Sequence, residues 1–110
     1  MDTPYFYVPE LLKQLPEIPP DTIVSRTYYD DGQVKAILFG FAAGQELSEH
    51  TASRPAILHF LKGEAGLVLG GDPQHAVAGT WIYMQPRLPH SVKAETELVM
   101  LLYMLAGTAS

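Results

Sequence analysis

The chain contains no cysteine. Disulfides and thiolate metal sites are therefore excluded. A reducing compartment is compatible with this, and a cytoplasmic protein is the expectation. Positive charge is also scarce: seven Lys and Arg stand against twelve Asp and Glu, a formal net charge of −5. No local Lys/Arg cluster breaks that balance, which repels a phosphate backbone and argues against nucleic acid as a partner. Long apolar runs are missing as well. The longest, Leu98 to Ala106, is nine residues, against about 20 for a membrane-spanning helix. No membrane association is expected. The opening MDTPYFYVPE has neither a basic start nor an apolar stretch and does not read as a signal peptide. There is no Gly-x-Ser-x-Gly elbow, no phosphate-binding loop and no dinucleotide-binding glycine fingerprint.

What remains is 110 residues, 47% hydrophobic and 17% charged. That length suits one domain with one core. Five prolines fall in the first 20 residues: Pro4, Pro9, Pro16, Pro19 and Pro20. They bracket a single helical candidate running from Pro9 to Leu15, with Pro at its start and Pro16 placed to end it. Residues 1–21 read as a short helical or irregular surface lead-in.

From Thr22 the pattern changes. Runs of Val, Ile, Leu and aromatics alternate with turn signals. Strands are expected at Ile23–Tyr29, Val34–Ala42, Ala56–Leu61, Ala65–Leu69, Gln74–Val77, Thr80–Gln85, His90–Ala94 and Leu98–Leu105. Asp30-Asp31-Gly32 supplies a hairpin turn, because Asp and Gly tolerate the backbone angles such turns need. A loop is expected around Gly44. Short strands with turns roughly every 8–12 residues predict an all-β sandwich or barrel over residues 22–106. Leu98–Leu105 is apolar on both sides, so both of its faces should be buried. A second subunit would bury the extra face, making a homodimer. Cover by the lead-in is the alternative.

Two segments then carry chemistry. Gly44 is followed by five residues and His50; Ala52, Ala56 and Gly63 come next at spacings of two, four and seven. Downstream, Gly79 leads to Pro86, Pro89 and His90. These segments resemble the two conserved motifs of the cupin superfamily. The first motif is Gly, five residues, His, one, His, three or four, Glu, six, Gly. The second is Gly, five residues, Pro, one, Gly, two, His, three, Asn. The glycine-to-histidine distance of the second motif matches in full. Its proline is displaced by one, its inner glycine is absent, and its Asn falls on Ala94. The resemblance spans roughly residues 33–105. It implies a double-stranded β-helix, the jelly-roll barrel of RmlC-like cupins.

The resemblance also implies a divalent metal (Zn, Mn, Fe, Ni or Cu) held by three histidines and a carboxylate. Here the second histidine position is Ala52 and the glutamate position is Ala56, and methyl groups cannot ligate. His50 and His90 remain as metal ligands. Two imidazoles without a carboxylate hold a metal weakly. Strand parity decides which residues can substitute as ligands. His59 lies three residues beyond Ala56 and so on the opposite face of its strand; only a bulge would turn it inward as a ligand. His75 sits in a hairpin and should be solvated, and Glu49 should point away from His50. Two alanines where a His and a Glu would stand predict an apolar pocket. Its lining would come from Ala52, Ala56, Leu58, Phe60, Trp81 and Met84, with Phe60 and Met84 touching the ligand beside His50 and His90. The expected function is a small cupin-like barrel that binds a small molecule or a weakly held divalent metal. A metal-dependent enzyme of dioxygenase or isomerase type is one alternative, and a non-catalytic structural or sensory barrel another.

Overall fold

The computed structural model describes residues 4–15 and 17–107. Among the described residues, nine strands follow one short 3-10 turn. In chain order they are β1 (Ile23–Asp30), β2 (Val34–Phe41), β3 (Glu46–His50), β4 (Ala56–Lys62), β5 (Ala65–Leu69), β6 (Asp72–Ala76), β7 (Trp81–Met84), β8 (His90–Ala94) and β9 (Leu98–Leu105). All pair antiparallel. They form a five-stranded sheet ordered β1-β2-β9-β4-β7 and a four-stranded sheet ordered β3-β8-β5-β6.

Side-chain alternation explains how the sheets close on each other. In β4, Ala56, Leu58 and Phe60 are buried while Ile57, His59 and Leu61 are only partly covered. In β8, His90, Val92 and Ala94 are the buried set. The apolar residues among these meet Phe41, Leu67, Leu98 and Met100 in one core cluster between the sheets. Each large apolar side chain buried there contributes roughly 1.5–3 kcal/mol.

The first turn is built by Asp31. Its Oδ1 accepts from the backbone N–H of Gln33 and of Val34, each at 2.8 Å. The Tyr29 hydroxyl donates to Oδ2 at 2.8 Å. Gly32 takes the positive φ of 84° that closes the hairpin.

Three features differ from the sequence reading. The helical candidate is a four-residue 3-10 turn, Leu11–Gln14; Pro16 lies outside the described residues. The loop expected after Gly44 contains a strand, β3. Its sequence ELSEH has no β-branched residue and is mostly exposed, because β3 is a sheet edge with one solvated face. Such a strand lacks the apolar alternation that makes others visible. Finally, the second apolar face of β9 is covered from within the chain. Val99 and Leu101 cluster with Leu38 on the outside of the five-stranded sheet, where Leu11, Leu15 and Ile18 of the lead-in pack against them. Gly40 leaves the room: a Cβ there would come within 2.6–2.7 Å of the Leu15 and Ile18 side chains. Burial of β9 on both faces therefore requires no partner subunit.

Candidate functional site

β3 and β8 carry the two motif histidines side by side. Leu47 pairs with Val92, but the next partners in the ladder are His50 and His90. Three residues of β3 thus span two of β8, which is a β-bulge. In a regular strand, residues 47 and 50 would face opposite sides. The bulge brings His50 to the side of Leu47, and both line one interior cavity.

The turn before β8 is tied down from both sides. The Arg87 N–H donates to the Ala52 carbonyl at 2.6 Å, and the Gly70 N–H donates to the Pro89 carbonyl at 2.7 Å. The first bond joins the turn before His90 to the loop after His50. Arg87 has φ 67°, in the left-handed region that favours glycine. It occupies the position where the motif's inner glycine is missing.

The two rings lie 4.3 Å apart between centroids, with planes tilted by 57°. Both are anchored in the same way. His50 Nδ1 bonds the Ser48 carbonyl and His90 Nδ1 bonds the Leu88 carbonyl, each at 2.8 Å. A carbonyl only accepts, so Nδ1 carries the proton in each ring. The Nε2 lone pair is then the free one, and fixing a tautomer this way is what an outer partner does for a ligating histidine. No buried side-chain polar atom among the described residues lacks a partner. His90 is 8% exposed, while His50 is open to solvent.

The cavity has a volume of about 50 Å³. The four-stranded sheet lines it with Leu47, His50, His90 and Val92; the five-stranded sheet adds Phe39, Leu58, Met100 and Leu102. One water needs about 10–15 Å³ on this measure, so the space holds an ion or a few waters. Drug-sized ligands occupy about 300–1,000 Å³. A wider cleft of about 460 Å³ lies far from the histidines, where Leu12, Leu15 and Ile18 overhang the Lys62–Glu97 ion pair.

The remaining sequence candidates fall as follows. Phe60 and Met84 are buried in the core cluster at 0% and 2% exposure, but they are not in the cavity wall. Ala56 pairs directly with Met84. The volume that the lost carboxylate would fill is taken up by core packing rather than left as a pocket. Trp81 points outward and is 58% exposed. His59 pairs with Trp81 and Leu101 on the outer face, as strand parity required.

His75 is exposed, as expected, but it is not alone. Its Nε2 lies 3.2 Å from Glu95 Oε1 and 3.4 Å from Glu64 Oε1. The three residues offer ligand atoms within 4.8 Å of one another. Sequence reasoning missed this group because β5 pairs with both β6 and β8 to assemble it. Nothing in the linear spacing of residues 64, 75 and 95 shows it.

No protein-family model and no curated protein matches the chain. Solved structures do. A conserved protein of unknown function from Streptococcus pyogenes superposes with a TM-score of 0.82 and 24% identity, covering 97% of this chain and 93% of that one. A cupin superfamily protein from Desulfitobacterium hafniense gives a TM-score of 0.82 at 22% identity, over 92% and 93% of the two chains. A cupin 2 conserved barrel domain protein from Leptotrichia buccalis gives 0.77 at 28% identity, over 84% of this chain and 45% of that one.

Proposed function

We propose that this chain, a cupin by fold, uses His50 and His90 to hold one metal ion at the inner edge of its barrel. The observation that carries the reading is the shared anchoring of the two rings. Each Nδ1 is tied to a carbonyl two residues back in sequence, which leaves two Nε2 lone pairs on facing rings. The cavity supports an ion over an organic ligand, because about 50 Å³ has no room for a drug-sized molecule. The donor set fits a metal weakly, since two neutral imidazoles bring no compensating charge.

A bound metal would polarise a ligand oxygen or lower the pKa of a bound water. The chain's own contributions are distinct from that. The bulge in β3 aims His50, and the braced turn before β8 aims His90. Leu47, Leu58 and Val92 exclude bulk water from the inner side. Exposed His50 marks the side from which a ligand enters.

Isothermal titration with Zn²⁺, and anaerobically with Cu⁺, tests this, comparing the parent with the His50→Ala, His90→Ala double variant. Binding by the parent that disappears in a folded double variant is the expected result. Equal binding by both proteins would move the site elsewhere. No binding by either would leave a barrel without a metal role.

We further infer that two copies associate through β7. This strand is the edge of the five-stranded sheet. It displays Trp81 and Tyr83 at 58% and 51% exposure beside Ile57 and His59. An open strand edge with exposed aromatics is a surface that a second copy can cover.

A further inference from the structure

We propose that the ion suited to this barrel is monovalent copper, held by His50 and His90 with the Met100 thioether as a third donor. The inference rests on the reading that the histidine pair holds a metal. It goes further by naming the oxidation state and a ligand that neither motif supplies.

The argument starts from a census of the cavity wall. Besides the two imidazoles, the lining side chains are hydrocarbon with one exception, Met100. Among the described residues, no carboxylate, hydroxyl or amide side chain lines the space. Met100 sits in β9 at 2% exposure. It pairs with Phe39 on one side and Phe60 on the other. It belongs to the sheet opposite His50 and His90, so the two imidazoles line one wall of the cavity and the Met100 side chain lines the other.

Ligand softness then discriminates among ions. Oxygen-seeking ions such as Mn²⁺ and Mg²⁺ find no oxygen ligand here. A thioether favours Cu(I) over them. Coordination number points the same way. A divalent ion held by two imidazoles must complete its shell with water. On the inner side of the rings such water needs about 2–4 polar partners and the hydrocarbon walls offer none, so only the solvent-open side at His50 supplies it. Cu(I) is satisfied by two or three soft neutral donors. Charge gives a third reason. The cost of placing an ion in an apolar cavity rises with the square of its charge, and all three donors are neutral, so a monovalent ion is the cheaper guest.

The test is an anaerobic titration of the purified protein with Cu(I) against a chromophoric Cu(I) chelator, together with copper X-ray absorption. A His75→Gln background removes the exposed Glu64–His75–Glu95 group as a competing site. The expected result is one Cu(I) per chain with both nitrogen and sulfur scatterers bound. Met100→Leu, which keeps a similar core volume, should lose the sulfur scatterer and weaken binding by about tenfold or more. The absorption spectrum of the parent decides the sulfur question even if that variant folds poorly. A spectrum with nitrogen or oxygen scatterers alone would overturn the Met100 assignment. Zn²⁺ binding that depends on His50 and His90, with no Cu(I) held against the chelator, would overturn the copper inference and leave the metal reading standing. Absence of both would end both.

Discussion

His50 and His90 are direct partners across the β3–β8 ladder, and they face each other only because β3 carries one residue more than β8 between Leu47 and His50. The pair is asymmetric in burial: His90 is 8% exposed, whereas His50 is open to solvent. Truncation should therefore separate them. His90→Ala leaves a gap in a packed wall and abandons the Leu88 carbonyl, and should cost about 1–3 kcal/mol. His50→Ala should stay within about 0.5 kcal/mol, as surface changes usually do. Urea denaturation of the two variants checks this. Equal losses would contradict the burial difference.

Arg87 holds φ 67° in the turn that positions His90. A non-glycine residue in that region carries strain of about 1–2 kcal/mol. Glycine relieves it but gains freedom in the unfolded chain, worth about 0.4–1 kcal/mol. Arg87→Gly should therefore raise stability by a few tenths to about 1 kcal/mol, read as a higher urea midpoint with an unchanged slope. A lower midpoint would show that the Arg87 side chain contributes more than its backbone costs.

The barrel itself was legible in the sequence. Eight of the nine strands announce themselves through apolar runs and Gly or Asp turns, and β4 parity correctly sends His59 outward. Motif spacing singles out His50 and His90, but their direct pairing across β3 and β8 is visible only in the structure. The cavity wall was not legible. Ala52 and Ala56 suggested an empty space, yet Met84 packs against Ala56 and the core closes over it. Met100 and Phe39 line the cavity instead, from strands whose place across the barrel is set by sheet order rather than by any local pattern. The bulge that turns His50 inward leaves no trace in ELSEH.

Asp31 gives a pH dependence with a definite sign. Hydrogen bonds from the Val34 N–H, the Tyr29 hydroxyl and the Gln33 N–H hold its carboxyl below the usual aspartate range. A lowered folded pKa means the stabilisation is fully present above about pH 4 and is lost as pH falls through the folded value. The β1–β2 turn should loosen first in acid. Amide exchange at Gln33 and Val34 should rise below about pH 4 relative to core amides, once intrinsic rates are allowed for. Asp31→Asn should show that looser turn already at neutral pH. Unchanged protection in the variant would refute the role of the carboxylate.

Association through β7 predicts a dimer of the 12.1 kDa chain. Trp81→Lys with Tyr83→Lys places two charges on that exposed edge and should return the protein to monomer without loss of fold. Light scattering after size exclusion measures this directly. A parent that is monomeric at high micromolar concentration would remove the proposal, and the self-covered outer face of β9 would then need no revision.

The central claim is that facing imidazoles with fixed tautomers make His50 and His90 a metal site despite the loss of two motif ligands. Elemental analysis after equilibrium dialysis against an excess of Cu⁺ or Zn²⁺, with the free metal of the outer compartment subtracted, tests it most directly. The account predicts about one metal ion per chain in the parent and in His75→Gln, and none in the folded His50→Ala, His90→Ala double variant. A metal-free parent, or a double variant that retains the metal, would contradict it.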